Sequence, residues 1–117
     1  MKKMSVVVDC PIDTTINVLK GKCKAGIIKK IHSGLSRFGL LKKDLAISDK
    51  LLAIQLNDLV EDGIITKLKN DDNPLQTIYD LTIDGKHLFH IIELMEEWGK
   101  GYKFYRQSNI KFSSAEV

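Results

Sequence analysis

The side chains best suited to reading or holding another molecule gather in one stretch, Ser48 to Gly63, SDKLLAIQLNDLVEDG. Leu52, Leu56 and Leu59 recur at helical spacing and fall on one face. Lys50, Ala53, Ile54 and Asn57 fall on the other. The chemistry of that second face suits a base-paired duplex. An asparagine amide can pair with adenine, and alanine or isoleucine can touch a thymine methyl group. Ser48 and Lys50 suit phosphate oxygens, which set register rather than sequence. Gln55 lies nearer the flank. The competing reading is an ordinary solvated helix face.

Elements that would position this face can be read on either side. Serine is a good N-cap, so Ser48 starts the helix, and Gly63 ends it by taking the left-handed conformation. Upstream, Cys10-Pro11 opens a helix over Pro11–Leu19, since proline suits the first turn. Its apolar residues Ile12, Ile16 and Leu19 share a face, and Gly21 breaks it. A second helix is expected over about Lys22–His32, carrying Ile27, Ile28 and Ile31. Arg37-Phe38 suits a short edge strand or the entry to a third helix. That helix, Phe38–Leu45, directs Leu40, Leu41 and Leu45 to a core. The tight join through Ala46-Ile47 to Ser48 is helix-turn-helix spacing.

Downstream, Ile64–Lys69 and Gln76–Leu81 read as paired strands. Between them Asn70-Asp71-Asp72-Asn73-Pro74 is dense in turn formers. Such a hairpin is marginal alone and must pack on the helices. Thr82 then caps a long helix from Ile83 to about Trp98. Gly99, Gly101 and a basic, aromatic tail follow. Leu88, Ile91, Ile92, Met95 and Trp98 form one stripe, widened by Phe89 and Leu94. An ordinary surface helix needs an apolar arc of a little over about 100°. This one covers about half the circumference, and deep burial in so small a chain would need more material than is present. A second copy is the better cover, so Leu88, Ile91, Ile92, Met95 and Trp98 are the expected dimer interface.

The 117 residues fit one domain, and 44% hydrophobic residues suffice for a core. The net charge of +3 is unevenly placed: residues 1–50 carry 11 Lys and Arg against 4 Asp and Glu, and residues 51–117 carry 7 against 11. That asymmetry fits a basic face toward phosphates. Arg37, Lys42 and Lys43 would add backbone contacts from the third helix, and Lys67 and Lys69 from the hairpin. No apolar run reaches the roughly 20 residues of a bilayer span, and the start is a poor signal peptide, so a cytoplasmic location is expected.

Cys10 and Cys23 stand too far apart in sequence for a zinc box, and His87 and His90 have no evident third ligand. No metal or cofactor is expected. There is no Ser/His/Asp set, phosphate-binding glycine loop or close carboxylate pair, which argues against an enzyme. Cys10 sits at a helix N-terminus, where the dipole favours a thiolate, although Asp9 and Asp13 oppose it. It is the candidate redox sensor; a small buried thiol is the competing reading. A Cys10–Cys23 disulfide is an open alternative.

These residues together resemble the HxlR-type winged helix-turn-helix regulators, a branch related to the MarR-like repressors. The likeness spans about residues 10–101. It rests on Cys10-Pro11-Ile12, Gly21-Lys22, Lys24, Arg37-Phe38 with Leu41, and Ile47-Ser48 with Lys50. It continues through Leu52, Leu56, Leu59, Asp62-Gly63-Ile64, Tyr79, Leu81-Thr82, Gly85 and Trp98-Gly99. Against the family pattern, Cys23 replaces a tryptophan, Lys20 a glycine, Ala53-Ile54-Gln55 a Thr-Gln-Arg-like run, and Gln76 stands near a usual arginine. The resemblance implies a mainly α (α+β) winged helix-turn-helix domain with a two-stranded wing and terminal helices that pair in a homodimer, which adds Ile12 and Ile16 of the first helix to the expected dimer interface. It implies a transcription regulator binding double-stranded DNA at a pseudo-palindromic operator. Some members sense oxidants through the cysteine of the Cys-Pro motif; the effector here, small molecule or oxidant, is left open. The expected layout is an N-terminal arm over 1–9, the winged domain with its dimerisation helices over 10–101, and a C-terminal tail over 102–117. The alternative function is a winged-helix protein-interaction module without sequence-specific DNA binding.

Overall fold

The computed structural model describes residues 5–21 and 23–108. Among these residues five helices and one hairpin follow in order: α1 (Pro11–Leu19), α2 (Lys24–His32), α3 (Phe38–Leu45), α4 (Asp49–Glu61), β1 (Ile65–Leu68), a 3-10 turn (Pro74–Gln76), β2 (Ile78–Leu81) and α5 (Ile83–Ser108). The expected starts of α1 and α3 match. The helix α2 begins at Lys24, after Cys23 takes a left-handed φ of 70°. The expectation for Lys22 lies outside the described residues, as do those for 1–4 and for 109–117.

The core is built from one face of each inner helix. Ile27, Ile28 and Ile31 of α2 meet Leu41 of α3 and Leu52, Leu56 and Leu59 of α4. Ile64, Ile65 and Tyr79 close it from the hairpin, and Leu88, Phe89 and Ile92 from α5. Leu88 and Ile92, expected at a dimer face, are therefore buried within the chain. The broad stripe of α5 is split: one edge packs on α2, while Ile91, Leu94, Met95 and Trp98 stay exposed. Leu40 also departs from expectation and is exposed, because α3 turns Leu41 rather than its neighbour inward.

Close approach fixes the crossing of α5 over β1. A Cβ at Gly85 would lie 2.1 Å from the Ile64 carbonyl oxygen, so only glycine fits. Thr82 locks the same corner. Its hydroxyl accepts from Gly85 N–H at 3.0 Å and lies 2.7 Å from the Gly63 carbonyl and 3.0 Å from that of Ile64.

Strands β1 and β2 are antiparallel, pairing Ile65 with Leu81 and Leu68 with Ile78. Both are shorter than expected. Asn70 Oδ1 accepts from Asp72 and Asn73 N–H, and Asn73 Oδ1 from Leu75 N–H, which curls the chain before β2. Pro74–Gln76 then packs on α3, where Leu75 lies against Gly39. The edge-strand expectation at Arg37-Phe38 holds in part: Arg37 bridges Ile78, and Phe38 N–H donates to Thr77 O as α3 begins.

The end of α5 is the largest difference. Instead of stopping near Trp98, the helix runs through Gly99 and Gly101 to Ser108. Glycine costs a helix only about 1 kcal/mol against alanine, and Trp98 and Tyr102 stack across the glycines at 4.9 Å. The projecting helix makes the molecule elongated, 61 × 35 × 25 Å, with a radius of gyration of 17.0 Å. A compact domain of about 100 residues has about 13 Å.

Candidate nucleic-acid interface

The turn between α3 and α4 is tight because Ala46 accepts a left-handed φ of 53° and Ser48 caps the next helix at once. Ser48 Oγ accepts from Leu51 N–H at 3.1 Å, and its own proton remains available to an acceptor. Buried Leu52, Leu56 and Leu59 anchor α4 on the core. A second anchor is polar: Lys24 of α2, only 3% exposed, pairs with Asp58 at 3.0 Å. Gln55 is buried as well, its Oε1 above Gly21 and without a hydrogen-bond partner among the described residues. It thus belongs to the inner side of α4, not to the flank of the outer face.

With α4 so seated, its outward face and the hairpin enclose one open hollow of about 410 Å³. Lys50, Ala53 and Asn57 line it from α4; Lys67, Lys69 and Asn70 line it from the hairpin; Phe38, Leu75 and Tyr79 form part of its floor. Burial raises the Tyr79 hydroxyl above its ordinary pKa, so it stays a neutral hydrogen-bonding group. Five of the expected contact residues are therefore brought together. Ile54 is exposed on α4 but does not line the hollow. Arg37, Lys42 and Lys43 are exposed on or next to α3 and also lie outside its lining.

The electrostatics are more mixed than the lysine count suggests. Lys42 Nζ sits between the two carboxylate oxygens of Asp49, at 3.0 and 3.3 Å. Lys69 lies 3.6 Å from Asp71 at the wing. These exposed pairs are weak, and each ammonium has three N–H donors, so either lysine can hold a phosphate while it still faces its carboxylate. Sequence reasoning passed over Asp49, which also lines the hollow. Its spacing of four and eight residues from Ala53 and Asn57 was the signal that places it on that face.

The other expected sites lie elsewhere. Cys10 is exposed as the N-cap residue of α1, Cys23 is half-buried, and both are free thiols. Ile12 and Ile16 are exposed on α1, which has no buried residue of its own. His90 Nδ1 lies 3.5 Å from a Glu93 carboxylate oxygen one turn on, and His87 lines a smaller hollow between α1 and α5. No helix among the described residues is long and apolar enough to cross a membrane.

Comparison with known proteins agrees with this geometry. The family model described as HxlR-like helix-turn-helix matches residues 18–107. The uncharacterized HTH-type transcriptional regulator YdeP of Bacillus subtilis (strain 168) is 33% identical over 95 residues, covering 80% of this chain and 74% of YdeP. Among solved structures, the redox regulator HypR in its reduced form superposes with a TM-score of 0.75 at 29% identity, covering 85% of this chain and 99% of HypR. Its oxidized form gives 0.67 at 31% identity, covering 79% and 96%. The chain is a winged helix-turn-helix protein that belongs to the HxlR-like family, a MarR-related group of DNA-binding transcriptional regulators rather than enzymes.

Proposed function

We propose that this protein is a homodimeric, cytoplasmic regulator that binds a pseudo-palindromic operator, with one α4 in each of two successive major grooves. The observation that carries this reading is the shared hollow: Lys50, Ala53 and Asn57 of α4 converge with Lys67 and Lys69 of the wing. That arrangement combines base-reading groups with phosphate-holding groups in one surface. Ser48, Arg37, Lys42 and Lys43 add backbone contacts at its border, and Ile54 adds an apolar contact to a thymine methyl. Dimerisation is supported by the apolar surface that the chain leaves uncovered. Ile12 and Ile16 on α1 and Ile91, Met95 and Trp98 on α5 are all exposed, Trp98 at 69%. A nine-residue helix such as α1 is marginal in water without a partner to cover it. Leu88 and Ile92 support that interface from beneath, as part of the core on which α5 rests.

Cys10 is the oxidant-responsive residue in this reading, because its thiol is exposed and sits at the start of α1, beside the proposed interface. Oxidation there alters dimer geometry and hence DNA affinity. A Cys10→Ser protein that keeps the full oxidant response in a DNA-binding assay refutes that role.

The test of the main reading is selection from a random-sequence duplex pool at two salt concentrations. Enrichment of an inverted repeat with half-sites about 34–36 Å apart is the expected result. Salt-sensitive binding without enrichment would reduce the role to non-specific DNA coating. No binding at either salt would favour a protein-interaction module, with α4 as its contact face.

A further inference from the structure

We infer that Asp49 reads a base: it selects cytosine at one position of each half-site, with Lys42 as the counter-charge that admits a carboxylate to the DNA surface. The inference rests on the reading of α4 as the helix that enters the major groove.

Position is the first argument. Asp49 is the first residue of α4, and recognition helices of this architecture touch base edges through their N-terminal residues. Asp49, Ala53 and Asn57 are spaced by four, so they form one row, and all three line the hollow. At a rise of 1.5 Å per residue the row is about 12 Å long, which spans three to four base pairs. Asn57 and Ala53 already suit that surface, and Asp49 extends the same row to the end of the helix where contact is closest.

Chemistry gives the base. An ionised carboxylate only accepts hydrogen bonds. In the major groove only two bases offer a donor, cytosine through N4 and adenine through N6. Adenine places its N7 acceptor beside that donor, and N7 repels a carboxylate. Cytosine has no such neighbour, and its complementary guanine lies across the pair.

Charge is the remaining obstacle, because a bare carboxylate is repelled by the phosphates flanking the groove. Here Lys42 Nζ lies 3.0 Å from Oδ1 and 3.3 Å from Oδ2 of Asp49. One ammonium offsets the charge and engages one edge of each oxygen, and the outer lone pairs remain open to a base. Asp49 also complements the positive end of the helix dipole, a purely structural role that would leave base preference untouched. The two roles are separable by experiment.

The experiment selects duplexes from a random pool with the full-length chain and with Asp49→Asn, whose fold is checked by circular dichroism. The wild-type motif is expected to hold cytosine at a fixed position in each half-site. With Asp49→Asn that position loses its cytosine preference or shifts toward adenine, the base that an asparagine amide matches, while the other positions keep theirs. The dissociation constant for the wild-type site rises by roughly 5- to 150-fold per half-site. Asp49→Ala is the second variant and should relax the position without shifting it. An unchanged motif in both variants overturns the inference and leaves the operator reading intact. So does a uniform gain in affinity for all duplexes with a steeper salt dependence, which would mean that Asp49 merely sequesters Lys42. A wild-type chain that enriches no motif overturns both readings.

Discussion

Gly85→Ala is the sharpest structural test of how the wing is joined to α5. The added Cβ would stand 2.1 Å from the Ile64 carbonyl oxygen, closer than folded proteins tolerate, and a tight 3.2 Å from the carbonyl carbon. Helix and strand must separate by roughly 1 Å to admit it, and backbone on both sides resists. The displaced oxygen is also the acceptor for Thr82 N–H at 3.0 Å and lies 3.0 Å from the Thr82 hydroxyl. Two weakened hydrogen bonds at about 1 kcal/mol each, with about 1–3 kcal/mol for overpacking, give a loss of about 3–5 kcal/mol. That is a large share of the 5–15 kcal/mol typical of a domain. Urea denaturation at one fixed protein concentration measures it, since any association shifts the apparent stability. Gly26→Ala is the internal control. It lies in α2, has nothing within 4 Å of its would-be Cβ, and should gain about 0.5 kcal/mol from helix propensity. If Gly85→Ala unfolds within about 0.5 kcal/mol of wild type, the close crossing of α5 and β1 is refuted.

Three further outcomes follow from the same packing. Thr82→Val removes the cap of α5 and the hydroxyl bridge to Gly63 and Ile64, and should cost about 1–2 kcal/mol in urea denaturation. Lys24→Met should destabilise by about 1–3 kcal/mol, less than for a fully buried pair because Asp58 is 28% exposed and keeps access to water; an unchanged denaturation midpoint would remove the pair as an anchor of α4. A pH dependence is expected from Glu96, whose carboxyl a hydrogen bond from Lys29 holds below its ordinary value of 4.5. Its contribution is complete above that value and fades as pH falls through the lowered one. Wild type and Glu96→Gln should therefore differ in stability near neutral pH and converge in acid, and a gap that is unchanged in acid would contradict the assignment.

The inner part of this molecule is legible in its sequence because local chemistry and packing agree there. Proline at the start of α1, Ser48 before α4 and the leucines of α4 each give one answer, and the fold adopts it. The outward row of Lys50, Ala53 and Asn57 follows from the same periodicity. Where packing decides against local signals, the reading fails. Gly99 and Gly101 look like breakers, yet α5 continues because two glycines cost less than the continued helix and the Trp98–Tyr102 stack return. Pro74 reads as the end of the turn and Gln76 as the start of a strand, yet Pro74–Gln76 forms a 3-10 turn whose Leu75 lies on Gly39 of α3, and β2 starts only at Ile78. Gln55 reads as a polar surface residue and is buried over Gly21, a placement that depends on the corner between α1 and α2. The wide stripe of α5 did not tell which of its edges faces inward, because Leu88 and Ile91 are equally apolar and only the position of α2 distinguishes them.

The central claim is that the surface shared by α4 and the wing grips DNA phosphates around the reading row. The most direct measurement is the salt dependence of binding to the selected duplex, for wild type and for Lys67→Ala. In a two-fold dimer this substitution removes two phosphate contacts, so the slope of log Kobs against log salt should flatten by about 1.8. Affinity should fall alike on all duplexes while the selected motif stays the same. A slope and affinity unchanged by Lys67→Ala would contradict the account and place the DNA, if any, on another face of the protein.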